Sequence, residues 1–198
     1  MRWTILLLSC FLVTLGEPRA FSQSFAAADW PAYARDYGST GYSPLSEIKP
    51  QNVTGLKQIC SYSLPEQTTF ESSLVVLSGT MYFTTTEHTY AVDASNCALR
   101  WRVRHEMQNP GRTVRGVAIA GNRLYRGFSD GYVMAYDLAS GDQVWATRLM
   151  ETDGRPATIA ASPAAWNGMV FIGTSGAERA VSQWLSCTDC NGAGRSCD

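Results

Sequence analysis

Three cysteines crowd the final stretch of the chain, "CTDCNGAGRSCD", with a C-x2-C pair at Cys187 and Cys190. Such a pair could carry haem, zinc or dithiol chemistry, and each makes its own demand on the neighbouring residues. Covalent haem attachment needs His directly after the pair, and position 191 is Asn. Structural zinc needs four ligands; Cys197 supplies a third, and no fourth stands nearby. A redox dithiol opens a helix behind a strand in a βαβ unit, a context this chain lacks. A second candidate is "GTSGA" around Ser175, close to the G-x-S-x-G nucleophile elbow. Ala177 stands where the last glycine belongs, and the flanking pattern is β-repeat rather than strand-to-helix. The only histidines, His88 and His105, lie in polar contexts and read as solvated rather than catalytic. No familiar catalytic set survives, so the chemistry must be sought through the elements that position it.

Those elements begin with "MRWTILLLSCFLVTLGEPRAFSQSFA". Arg2 precedes an apolar run too short to span a membrane, and a polar stretch with small residues follows. Residues 1–26 therefore read as a secretory signal peptide, cleaved after Ala20-Phe21-Ser22 or after Ser24-Phe25-Ala26. The expected location is an exported, periplasmic one, where disulfides persist, with no membrane span once the signal is removed. Net charge is −1 and 17% of residues are charged, which excludes nucleic acid and acidic membrane surfaces as partners drawn by charge.

The rest of the chain repeats itself. "TYAVDASNCALRW" ending at Trp101 and "VMAYDLASGDQVW" ending at Trp145 superpose with Asp93 and Asp137 44 residues apart. Each reads as an alternating strand closed by Asp, a tight turn, and a second strand towards Trp. Gly141 suits a left-handed turn position that Cys97 fills in the first copy. Three hairpins with turn glycines Gly79, Gly121 and Gly168 keep a similar period, 42 and 47 residues. Strand repeats of this length predict the blades of a β-propeller. The predicted fold is all-β: a leading segment over 27–69, then about two and a half blades of an incomplete propeller over 70–185. A closed ring needs roughly 4–8 blades.

With the repeat in place, "DWPAYARDYGSTGYSPLSEIKPQNVTGLK" (29–57), the Asp/Trp motifs, "VRGVAIAGNRLYRG" and "GTSGAE" resemble the pyrroloquinoline quinone (PQQ)-dependent alcohol dehydrogenases. The resemblance spans about Asp29 to Leu185. It implies an eight-bladed propeller that holds PQQ and Ca2+ (or a lanthanide) near its axis. It also implies an alcohol substrate, an acceptor such as a cytochrome c or a quinone, and hydride transfer to PQQ assisted by the metal. Matched residue by residue, Arg115 resembles the arginine that pairs with the quinone oxygens, and Glu71 in "FESSL" a glutamate lining the same site. Ser175, Gly176 and Ala177 would present donors to the cofactor carboxylates, and Glu178 would be an oxygen ligand for the metal. The plain alternatives are a salt-bridging surface Arg, a solvated turn carboxylate and a surface hairpin.

This sequence also departs from the pattern. "RHEMQNPGRTV" holds no adjacent Cys-Cys pair, Ala160 stands where a cofactor-touching Thr is found, and the catalytic Asp, Asn ligand and floor Trp have no counterparts. On that reading this is the N-terminal portion of a quinoprotein, a fragment with little or no activity by itself. A non-catalytic propeller acting as a cell-envelope scaffold is the alternative. Cys60 and Cys97 suggest a disulfide stapling the leading segment to the first blade, with free buried thiols as the other possibility. Beyond "AVSQWL" the family would continue with an apolar strand and an Asp/Trp motif. Residues 186–198 do neither, and are read as a non-family tail translated in a shifted frame.

Overall fold

The computed structural model describes residues 25–68, 70–108, 110–111, 115–149, 158–175, 185–189 and 194–196. Three four-stranded antiparallel meanders stack side by side. The first comprises β1 (Val75–Leu77), β2 (Thr80–Thr84), β3 (His88–Asp93) and β4 (Leu99–Arg104). The second comprises β5 (Ala118–Ala120), β6 (Arg123–Gly127), β7 (Tyr132–Asp137) and β8 (Gln143–Arg148). The third comprises β9 (Ala164–Trp166), β10 (Met169–Gly173), β11 (Leu185–Asp189) and β12 (Gly194–Ser196). They are blades of an incomplete β-propeller. The count of about two and a half blades ran to Leu185; the outer strands of the third sheet come from Leu185 onward. There Cys187 pairs through its backbone with Phe171 on one side and Arg195 on the other.

Local sequence explains the hairpins. Ser78-Gly79 and Asn167-Gly168 place positive φ at both central residues of two-residue loops, the geometry that matches the twist of the flanking strands. The repeat reaches even the irregularities, because the register shifts at Ala91/Val92 and again at Ala135/Tyr136. Burial follows from stacking. The third strands β3 and β7 are buried on both faces along their middles, whereas β4 and β8 alternate at the rim.

Trp101 shows how one blade docks on the next. Its indole lies on Gly141 of the second blade, where an added Cβ would sit 2.8 Å from the ring, and its Nε1 donates to the Leu138 carbonyl at 3.1 Å. Gly141 also has φ +79°, so glycine answers two demands at once. Val75, Tyr82, Leu124, Met134 and Tyr136 complete this interface. Val133, Ile159 and Ile172 pack between the second and third blades.

Arg126, on β6, is wholly buried between the first two blades. Its guanidinium donates to the His88, Thr85 and Thr86 carbonyls and to Thr89 Oγ1, and lies 4.1 Å from the Phe128 ring centroid. Burial pulls its pKa down to about 9, which leaves it charged at neutral pH.

The leading segment straps this stack. Trp30 forms an antiparallel bridge with Val76 of β1. Further along, Tyr62 and Leu64 cover the outer face of the first blade at Phe83, Tyr90 and Val92. Cys60 and Cys97 are joined by a disulfide across 37 residues. Closing a loop of that size contributes about 3–4 kcal/mol by restricting the unfolded chain. Cys97 takes the left-handed conformation, φ +59°, at the turn where the second blade has Gly141. Among the described residues no helix is long and apolar enough to cross a membrane. The signal-peptide expectation for 1–26 lies almost wholly outside the described residues.

Candidate functional site

The innermost strands β1, β5 and β9 all begin at the same end of the stack, and there the three blades are stitched through their main chains. The Ser73 amide and hydroxyl both donate to the Arg115 carbonyl, at 3.2 and 2.9 Å. The Arg115 amide donates to the Ala160 carbonyl at 3.1 Å. The Ala160 amide in turn donates to Ser175 Oγ at 3.2 Å, and the Ser175 amide to the Thr158 carbonyl at 2.7 Å.

This ladder brings two of the expected site residues, Arg115 and Ser175, to one end of the inner strands, with Glu71 close to it in sequence. Glu71 precedes Ser73 by two positions and is exposed. Arg115 is exposed too, and among the described residues its guanidinium makes no ion pair. Ser175 is half-buried at the end of the ladder. Gly176, Ala177 and Glu178 lie outside the described residues.

Arg115 borders a cleft of about 430 Å³ between the inner strands and the leading segment. Tyr33, Asp36 and Tyr37 form one wall, with Ser162 and Ile119 on the other. The Tyr37 hydroxyl donates to the Ala165 carbonyl, which ties the segment to the third blade, and burial raises the Tyr37 pKa. Hydrogen bonds from the Thr40 hydroxyl and amide lower that of Asp36, so it is an anion facing the cleft.

An exposed, planar guanidinium with no partner among the described residues, near the half-buried Ser175 hydroxyl, suits a planar guest that carries carboxylates. For PQQ the donor chemistry therefore fits. For the metal, no group of three His, Cys, Asp or Glu side chains that could hold an ion occurs among the described residues, and the expected ligand Glu178 lies outside them.

Three participants escaped sequence reasoning: Ser73, Gly116 and Ser162. Their signal was present in the repeat. Ser73, Arg115 and Ser162 each stand six residues before a turn glycine, at Gly79, Gly121 and Gly168, so they are one position in three blades. What spacing could not show is that this position converges.

Residues 30–127 match the family model described as PQQ, glucose/ethanol/alcohol dehydrogenase, beta-propeller domain. The 1-butanol dehydrogenase (cytochrome c) of Thauera butanivorans is 30% identical over 197 residues, which is 95% of this chain and 28% of that protein. The structure of the quinohemoprotein alcohol dehydrogenase from Comamonas testosteroni superposes with a TM-score of 0.78 at 30% identity, over 84% of this chain and 26% of that one. A europium-containing methanol dehydrogenase superposes at 0.76 with 26% identity, over 86% and 31%. The chain spans about a quarter of the length of the curated relatives it matches.

Proposed function

Residues 30–127 belong to the β-propeller domain of the PQQ-dependent glucose/ethanol/alcohol dehydrogenases, and from that premise we propose that the chain forms the Arg115 side of a PQQ site used to oxidise alcohols. The carrying observation is the ladder that joins Arg115 and Ser175 at one end of the inner strands, while the Arg115 guanidinium has no partner among the described residues.

When bound, PQQ supplies a two-electron acceptor for the hydride of an alcohol. The chain's own contribution is binding and orientation. Arg115 offers a rigid fork of donors, strongest where water is displaced, to carboxylate or carbonyl oxygens. Ser175, with Gly176 and Ala177 beside it, would hold the guest's carboxylates through hydroxyl and amide donors, and Glu71 would close the site opposite. Glu178 would be the metal ligand, for Ca2+ or a lanthanide. No residue of this chain matches the family's catalytic Asp, so we expect the 198-residue chain alone to bind the quinone with little or no turnover.

Export to the periplasm is part of the proposal. It is supported by the leader-like residues 1–26 and by the Cys60–Cys97 disulfide, which persists in an oxidising compartment. The electron acceptor would be a cytochrome c or a quinone.

Titration of the full chain with PQQ, followed by tryptophan fluorescence, tests the reading. Saturable quenching is expected, with Arg115→Ala weakening it at least about tenfold, as loss of a charge-assisted pair implies. Quenching that is absent, or indifferent to Arg115→Ala, would sink it.

A further inference from the structure

The Arg115 side chain is aimed by its main chain, and that main chain is held from the neighbouring blades. The Arg115 carbonyl accepts two hydrogen bonds from a single residue of the preceding blade, Ser73, through amide and hydroxyl. The next residue, Gly116, has φ +125°, a conformation that L side chains rarely adopt. A Cβ at Gly116 would meet Ser73 Oγ at 2.8 Å and Ser162 Oγ at 3.1 Å. The Cα of Gly116 is thus fitted between the hydroxyls of the first and third blades. Those two hydroxyls are not alike. Ser73 Oγ spends its proton on the Arg115 carbonyl, whereas Ser162 Oγ is buried with no hydrogen-bond partner among the described residues.

We infer that Ser73, with Gly116, is a positioning residue for Arg115: it fixes the peptide after Arg115 so that the side chain leaves the strand towards the quinone site. The inference rests on the PQQ reading for its purpose. Its structural content, a clamp across two blades, stands on the hydrogen bonds alone. The serine hydroxyl is the specific element, because the amide bond would persist with any residue at position 73. Ser162 serves as the control: it occupies the equivalent position in the third blade and crowds the same glycine, yet its hydroxyl has no partner among the described residues.

Two readouts on the full chain decide the matter. The first is amide hydrogen exchange without quinone. Ser73→Ala should speed exchange at the Arg115 amide, which donates to the Ala160 carbonyl, by about tenfold relative to the Leu124 and Tyr136 amides, which report on the β6–β7 pairing and on global stability. Ser73→Thr, which keeps the hydroxyl, should restore the original rate, and Ser162→Ala should match the unmodified chain. The second is PQQ affinity by fluorescence. Ser73→Ala should weaken binding about fivefold, the worth of one net hydrogen bond, but should weaken it no further in an Arg115→Ala background. Unchanged exchange at Arg115 in Ser73→Ala overturns the clamp, whatever the quinone does. Additive losses in the double variant, or an equal loss in Ser162→Ala, overturn the claim that Ser73 acts through Arg115. If the unmodified chain binds no PQQ while exchange responds as expected, the clamp stands and only the quinone reading falls.

Discussion

Arg126 is costly to bury. Its cation sits with no carboxylate partner among the described residues, under a pKa drawn down by desolvation, and is held by three backbone carbonyls and one hydroxyl of the Thr85–Thr89 hairpin. Those carbonyls face the neighbouring blade rather than water, so the guanidinium serves as their solvent. Removing it should cost more than the cation's own burial returns. Arg126→Ala is expected to lower unfolding free energy by about 3 kcal/mol in urea titrations, because buried acceptors are left unmet. Arg126→Lys should recover only part, since one ammonium cannot span the fork of acceptors. A neutral Arg126→Ala would show that water replaces the guanidinium without loss. This residue was invisible in the sequence for a physical reason. In "RLYRG" it falls two residues after Leu124 and so shares that residue's face, while Arg123 lies on the other; a charged residue type reads as solvent-facing wherever it stands. In a stack of sheets both faces of β6 are interior, so this cation is buried with its neighbours. Gly141 was legible for the opposite reason, because its left-handed turn is a local demand met by local sequence.

At the scale of elements, the strap over the first blade carries a titrating network. Glu66 accepts from the Tyr90 hydroxyl at 2.6 Å and from Thr85 Oγ1 at 2.9 Å, and its Oε1 lies 3.2 Å from His88 Nδ1. Burial alone would raise the Glu66 pKa, but these hydrogen bonds and the His88 charge outweigh it, and the carboxyl sits below its ordinary 4.5. His88 is held below its ordinary 6.5, chiefly by burial, with Glu66 opposing and Arg102 and Arg104 assisting. Both shifts have the same sign for stability. The unfolded chain takes up protons first at each group, so stability is complete above about pH 6.5 and falls in two limbs. The upper limb belongs to His88 as pH drops below 6.5; the lower belongs to Glu66 as pH drops below 4.5 towards its folded value. The melting temperature should therefore be flat near pH 7–8 and decline on acidification, with the disulfide intact throughout. His88→Gln should erase the upper limb while the lower remains. A wild-type profile level from pH 7 to pH 5 would contradict this account. The polar "TEHT" by itself predicts a solvated His88. Nothing local announces that Tyr62, Leu64 and Glu66 will be folded over it.

For the molecule as a whole, what propagates is the blade-to-blade contact. Trp101 docks on Gly141, Tyr125 and Ala135 pack on Ala165 and Val170, and the third blade then presents a face that no described blade covers. On β9 alternate residues part ways: Ala165 turns inward to the second blade, while Trp166 stands 56% exposed. Such a face on a stack of sheets is normally the seat of the next sheet, because each blade buries its faces only against neighbours. In dilute solution a second copy is the occupant at hand. The chain by itself is expected to associate with rising concentration, seen as an increasing weight-average mass in sedimentation equilibrium across the micromolar range. The contact is apolar, so raising salt should leave it intact, whereas ion-pair contacts would weaken. Trp166→Lys should shift the population towards monomer without changing circular dichroism, since this side chain contributes little to the fold of its own blade. A monomer at all concentrations would mean that the exposed face is covered within the chain. Association untouched by Trp166→Lys would place the contact elsewhere, on the apolar leading segment around Ile48, Leu56 and Ile59, which are 65%, 60% and 77% exposed.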